Sequence, residues 1–132
     1  MDQLRRLCRE HSWLCEALQF IGHQLLEGTV EVPAIAAHLH VGPVQLNRRL
    51  NKALGVPPAR LVRQLRVQEA AYRLQLNRAG VTHIAYELGF YDAAHFCRAF
   101  EEVLGCSPGV FRQAVRADAD LVSVPEILHA LK

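Results

Sequence analysis

The stretch IAAHLHVGPVQLNRRLNKALGVPP, residues 35–58, returns in altered form as IAYELGFYDAAHFCRAFEEVLGCSP at residues 84–108. Ile35, Ala36 and Leu39 reappear 49 residues later as Ile84, Ala85 and Leu88. Beyond the intervening turn the offset becomes 50, because the second copy carries one extra residue there, and Arg48, Leu54, Gly55 and Pro58 correspond to Arg98, Leu104, Gly105 and Pro108. Leu46, Leu50 and Leu61 correspond to the bulkier Phe96, Phe100 and Phe111. Each copy has the same order of parts: a short helix, a tight turn, a longer helix, a glycine-containing stop and a proline. Such self-similarity marks a duplicated supersecondary unit.

Outward from the repeat, apolar residues keep helical spacing. Leu4, Leu7, His11, Leu14, Leu18, Ile21 and Leu25 fall on one stripe. Ser12 is a candidate cap for a helix starting at Trp13, so this stretch reads as one helix or two, ended by Gly28-Thr29. The pattern then predicts helices over about 33–40, 43–54, 59–77, 82–88, 93–104 and 109–116, with breaks at Gly55–Pro58, Asn77–Gly80 and Gly105–Pro108. A last turn is placed after Ser123-Val124-Pro125-Glu126. No segment has strand character, so the expected fold is all-α. It divides into a leading segment 1–11, a first unit 12–58, a linker helix 59–78, a second unit 79–116 and a tail 117–132.

A short helix joined by a tight turn to a longer one is the helix-turn-helix arrangement, whose second helix lies in the major groove of DNA. Small Ala36 and Ala85 let the paired helices cross closely. Gly89 suits a turn that needs positive φ, whereas the first copy has His40 there, asking a side chain to tolerate that region. Gly42-Pro43 starts one longer helix, and Asp92 is placed to cap the other. At about 100° per residue, Leu46, Leu50 and Ala53 face inward in the first, and Val44, Arg48 and Asn51 face out, flanked by Gln45, Asn47 and Lys52. In the second, Phe96, Phe100 and Val103 are expected inside, with Ala94, Arg98 and Glu101 outside, flanked by His95, Cys97 and Glu102. Arginine pairs with guanine, asparagine and glutamine with adenine, and valine or alanine packs on a thymine methyl, so these faces have base-reading chemistry.

The charge is uneven. From Gly42 to Arg78, eight basic residues face only Glu69, leaving +7; from Ala79 to Arg116 the balance is −1. A basic half beside a near-neutral half is what a polyanion-binding chain presents, and also what a solvated helix face presents.

The run VEVPAIAAHLHVGPVQLNRRLNKALGVPPARLVRQLRVQEAAYRL followed by VTHIAYELGFYDAAHFCRAFEEVLGCSPGVFR resembles the DNA-binding domain of the AraC/XylS family of bacterial transcription regulators. The likeness covers about Trp13 to Arg116 and is most specific in IAYELGF, Asp92, HFCRAF and LGCSPGVFR. It implies two helix-turn-helix units whose recognition helices enter successive major-groove segments, monomeric in the DNA-reading unit, in a protein that typically activates transcription by contacting RNA polymerase. By position it assigns base contacts to Val44, Asn47 and Arg48 in the first unit and to Ala93, Ala94, His95, Cys97 and Arg98 in the second. Gln45, Arg49, Asn51, Lys52, Arg60 and Arg63 are expected to meet phosphates or position the helices. Glu101 and Glu102 depart from the family, which often has basic residues there. They are expected to weaken the second unit's electrostatic contribution.

Other classes are excluded as expectations. No apolar run approaches the ~18 residues of a membrane span, and Met1, Asp2, Arg5 and Arg6 form no signal-peptide core. There is no phosphate loop, HExxH, G-x-S-x-G or acid–base pair, so no enzyme, no catalytic residue and no cofactor is expected. Cys8, Cys15, Cys97 and Cys106 include no CxxC pair and are expected as thiols. Cys8, His11 and Cys15 share a helix face, but with no partner cluster apolar packing is favoured over metal. His38 and His40 read as turn or surface residues, and no acidifying group is expected to activate Cys97. Residues 1–11 read as the end of a connecting helix from an upstream sensor or receiver module, with self-pairing or packing as alternatives. The expected location is the bacterial cytoplasm, at the nucleoid. The rival reading is an AraC-like module for protein contact whose second unit does not read DNA.

Overall fold

The computed structural model describes residues 2–28, 30–76, 79–114 and 123–131. These form α1 (Asp2–Glu10), α2 (Ser12–Glu27), α3 (Val32–His38), α4 (Pro43–Leu54), α5 (Pro58–Leu76), α6 (Val81–Glu87), α7 (Ala93–Leu104), α8 (Pro108–Ala114) and α9 (Val124–Ala130), with no strand among the described residues. The all-α expectation holds. The expected bounds of α4 and α7 agree with the structure, and the shorter helices shift by a residue or two. Thr29, Asn77, Arg78 and residues 115–122 lie outside the described residues, and with them parts of the expected loops, the end of the 109–116 helix and the start of the tail.

One expectation is corrected at the start of α2. The N-cap is His11, not Ser12: its backbone is extended at φ −133° and its side chain makes no capping bond. His11 N–H closes the last turn of α1 onto the Leu7 carbonyl, while its own carbonyl accepts from Leu14 N–H. The chain therefore breaks at His11 because that residue serves both helices through its backbone. Ser12 is already inside α2.

Two apolar cores form, joined by α5. The first gathers Leu14, Leu18, Ile21 and Leu25 of α2, Ile35 of α3, Leu46 and Leu50 of α4, Leu61 and Val62 of α5, and Val124 and Leu128 of α9. The second gathers Val67, Ala70, Ala71 and Leu74 of α5 with Ile84, Leu88, Phe90, Phe96, Ala99 and Phe100. Phe96, Phe100 and Phe111 follow one another edge to face at 5.6 and 5.4 Å, which is why aromatic rings fill in the second copy the places leucines fill in the first. At about 1.5 Å per residue, α5 is a rod long enough to serve one core with its first half and the other with its second.

The terminal helices pack on the first core. Cys8 of α1 is buried there, its thiol pushed up to about 11, first by burial and then by neighbouring Cys15. Among the described residues no group of three His, Cys, Asp or Glu side chains is placed to hold a metal ion. His11 instead lies 6.0 Å from the Trp13 ring. α9 starts at a Ser123 cap and lies on α2 at Gly22, where an added Cβ would fall 2.0 Å from Leu128 Cδ1. No described helix is long and apolar enough to cross a membrane.

Candidate nucleic-acid interface

The paired helices are closed by the same turn. His40 N–H donates to the Ala37 carbonyl at 3.1 Å and Val41 N–H to Ala36 at 3.0 Å; Gly89 N–H donates to Tyr86 at 3.1 Å and Phe90 N–H to Ala85 at 3.0 Å. This pair of crossed bonds is the Schellman closure, which needs a left-handed residue just past the helix. Gly89 has φ 81° and His40 has φ 58°, the latter the one non-glycine residue with positive φ among those described. Both copies thus close the short helix in the same way, through a left-handed residue, and only the second copy has the residue suited to it.

From these turns α4 and α7 project their outer faces. In α4, Leu46 and Leu50 are fully buried, and Val44, Gln45, Asn47, Arg48, Asn51 and Lys52 are exposed, Val44 at 72%. Asn51 Nδ2 donates to both the carbonyl and Oδ1 of Asn47 at 2.8 Å, which ties the two amides together on the outer face. Arg49 is half-buried, with its guanidinium 5.8 Å from the Trp13 ring centre, a cation–π contact that draws it toward α2.

In α7, Phe96, Ala99 and Phe100 are buried, and Ala94, Arg98, Glu101 and Glu102 are exposed; Ala93, His95 and Cys97 are half-buried. The Asp92 side chain accepts His95 N–H at 2.7 Å, the expected cap. His95 Nδ1 accepts Tyr91 N–H at 3.4 Å. Val103 corrects the sequence reading: it is exposed, and Ala99 takes the inward place. The last turn of α7 overhangs the core, and Val103 lines a cleft of about 420 Å³ with Arg60, Arg63, Gln64 and Glu102.

Three arginines of α5 differ in availability. Arg60 is exposed. Arg63 Nη1 is held by Glu102 Oε2 at 2.7 Å, so this expected phosphate contact is engaged across to α7. Arg66 is half-buried between the units, 5.9 Å over the Phe90 ring, and its Nε has no hydrogen-bond partner among the described residues. Burial pulls its guanidinium below the ordinary arginine value, against an opposing pull from Glu31. Glu69 turns inward and is buried, so the one acid of the +7 segment is withdrawn from its surface.

Comparison with known proteins fits this geometry. A family model described as a helix-turn-helix domain matches residues 35–114, well over half of the chain. The transcriptional activator RhaS of Escherichia coli O139:H28 is 36% identical over 80 residues, which is 61% of this chain and 29% of RhaS. This chain belongs to the AraC/XylS family. An uncharacterised helix-turn-helix regulator of Haemophilus influenzae is 34% identical over 68 residues, 52% of this chain and 23% of that protein. Among solved structures, an AraC-type regulator from Chromobacterium violaceum superposes with TM-score 0.75 at 24% identity, covering 80% of this chain and 94% of that one. The DNA-binding domain of AdpA in complex with target DNA superposes with TM-score 0.70 at 24% identity, covering 75% and 88%. The matched stretch of this chain therefore spans less than a third of the length of RhaS.

The AraC-type fold brings Val44, Gln45, Asn47, Arg48, Asn51 and Lys52 onto one face and Ala94 and Arg98 onto another. It leaves Arg49 and Arg63 bound elsewhere. Gly22 and Glu69 were not legible as functional positions. Their only signals were a glycine inside a helical pattern and a lone acid in a basic run.

Proposed function

We propose that this chain is a sequence-specific double-stranded DNA reader of a bacterial AraC-type transcription regulator, with α4 and α7 entering successive major-groove segments about one helical turn, ~34 Å, apart. The observation that carries the reading is the repetition itself: one helix closure, built twice, leads into two helices with polar outer faces on one linker rod. Val44, Asn47 and Arg48 read bases from α4, and Ala94, His95, Cys97 and Arg98 from α7, with Gln45, Arg49, Asn51, Lys52, Arg60 and Arg63 on phosphates or in positioning roles. The first unit spans residues 12–58, the linker 59–78 and the second unit 79–116. The regulator acts as an activator through RNA polymerase, takes its signal from an upstream sensor or receiver domain, catalyses nothing and works in the cytoplasm on the nucleoid.

A second reading rests on Glu101 and Glu102 at the exposed end of α7: a protein-contact module in which only the first unit reads DNA. Selection of binding sites from random duplex DNA at two salt concentrations separates them. A two-part motif with centres about ten base pairs apart is expected. A half-length motif would favour the second reading, and no enriched motif would overturn DNA reading by this chain.

A further inference from the structure

We infer that α9, joined to the linker through Glu69, is a brace that fixes the orientation of the second helix-turn-helix pair relative to the first, and that Glu69 and Arg73 are positioning residues for α7. Glu69 is 4% exposed on α5, at the seam between Val62 of the first core and Val67 and Ala70 of the second. One of its oxygens accepts Val124 N–H, the first residue of α9, at 2.9 Å. The other accepts Arg73 Nε at 3.3 Å. Arg73 Nη1 reaches on to Glu87 Oε2 of α6 at 2.9 Å, and Glu87 Oε1 meets His83 Nε2 at 2.7 Å. A continuous polar chain therefore runs from α9 through α5 to the helix that precedes the turn into α7.

A buried carboxylate is destabilising unless its partners are in place, so the arrangement works as a unit. Arg73 is held at both ends, which fixes its side chain and ties α6 to the rod. α9 is anchored at its other end on the first core. Gln19 Nε2 donates to the Leu128 carbonyl at 2.9 Å, Arg5 Nε donates to the Ala130 carbonyl at 3.3 Å, and Leu128 fits over Gly22. Rotating the second pair about α5 would break Arg73 from Glu87. Removing α9 would strip Glu69 of a buried donor. The family match ends at residue 114, so the brace lies partly outside the matched region.

The test uses the full chain with Gly22→Val and, separately, Glu69→Gln. The first places a Cβ whose three nearest neighbours all belong to Leu128 and Val124 of α9, so that α9 must give way; the second keeps volume and removes the charge. Residual dipolar couplings of the free protein report the relative orientation of α4 and α7. One common alignment is expected for the wild type and separate alignments of the two units for both variants; a common alignment retained in both variants overturns the brace. The consequence for DNA rests on the two-unit reading above. There the ratio of affinities for the selected duplex and for one with its half-sites moved by a base pair should fall by about tenfold, the scale of one mismatched pair. Simple loss of stability would weaken both duplexes alike, and an unchanged ratio counts against the brace. A wild type that selects only a half-site would sink the two-unit reading, while the couplings still judge the brace.

Discussion

Arg63 and Glu102 meet across the gap between α5 and α7, Nη1 to Oε2 at 2.7 Å, so the linker rod touches the end of the second recognition helix. Both side chains are substantially exposed, at 43% and 63%, so the pair stabilises the fold weakly, by about 0.2–1 kcal/mol. Its larger effect is on the electrostatic surface. Arg63 is paired in the free protein, and the charge of Glu102 is partly answered, which leaves Glu101 as the acid that faces outward without Arg63 beside it.

Glu102→Gln should therefore do more than remove a negative charge, because it also releases Arg63. Tighter non-specific DNA binding is expected, with the slope of log K against log salt steeper by about 0.9, the increment for one more phosphate contact. Reversing both acids, Glu101→Lys with Glu102→Lys, should steepen it further. Binding titrations at several salt concentrations decide this. An unchanged slope in both variants would show that the end of α7 stays away from the backbone.

His40 sits at φ 58° where the second unit has Gly89 at φ 81°. A left-handed residue with a Cβ is strained by roughly 1–2 kcal/mol. His40→Gly should recover about 1 kcal/mol of that, offset in part by the extra freedom of glycine in the unfolded chain, and raise the melting temperature. Gly89→Ala should lower it. Thermal unfolding of the two variants side by side measures the asymmetry, and a destabilised His40→Gly would mean the imidazole makes a contact worth more than the strain.

Asp92 caps α7 through His95 N–H, whereas Gly42 starts α4 with no side-chain cap. Asp92→Ala should cost about 1 kcal/mol and fray the first turn of α7, where Ala94 and His95 lie. Amide exchange is expected to quicken at His95 and remain unchanged in α4. Equal protection of His95 in both proteins would argue that packing of Phe96, not the cap, holds this end.

The repeat carried most of the fold. Its fixed offsets placed both turns and both long helices because helix period and turn chemistry are local properties. The inward face of α4 was legible for the same reason. Val103 was misplaced because periodicity cannot show where a helix runs past its core, and Ser12 because a capping residue type says nothing about which backbone leaves the helix. Arg49 and Arg63 looked free in sequence, and their partners Trp13 and Glu102 lie 36 residues before and 39 after them. Glu69 and Gly22 matter only through α9, whose docking no local pattern encodes.

Arg48 and Arg98 occupy equivalent positions in the two copies, both exposed on outer faces. If each reads a base, truncation to alanine should cost about 1–3 kcal/mol at its own half-site and relax the preference at one position there. The other half of the motif should be unaffected, because the two side chains belong to separate units on opposite ends of the rod. Arg48→Ala separates base reading from protein docking as well, since a partner bound elsewhere on the surface would be retained. Site selection repeated with each variant makes the comparison. Loss confined to the first half with Arg48→Ala, together with no change at all with Arg98→Ala, would assign DNA reading to α4 alone and hand α7, with its acidic end, to a protein partner.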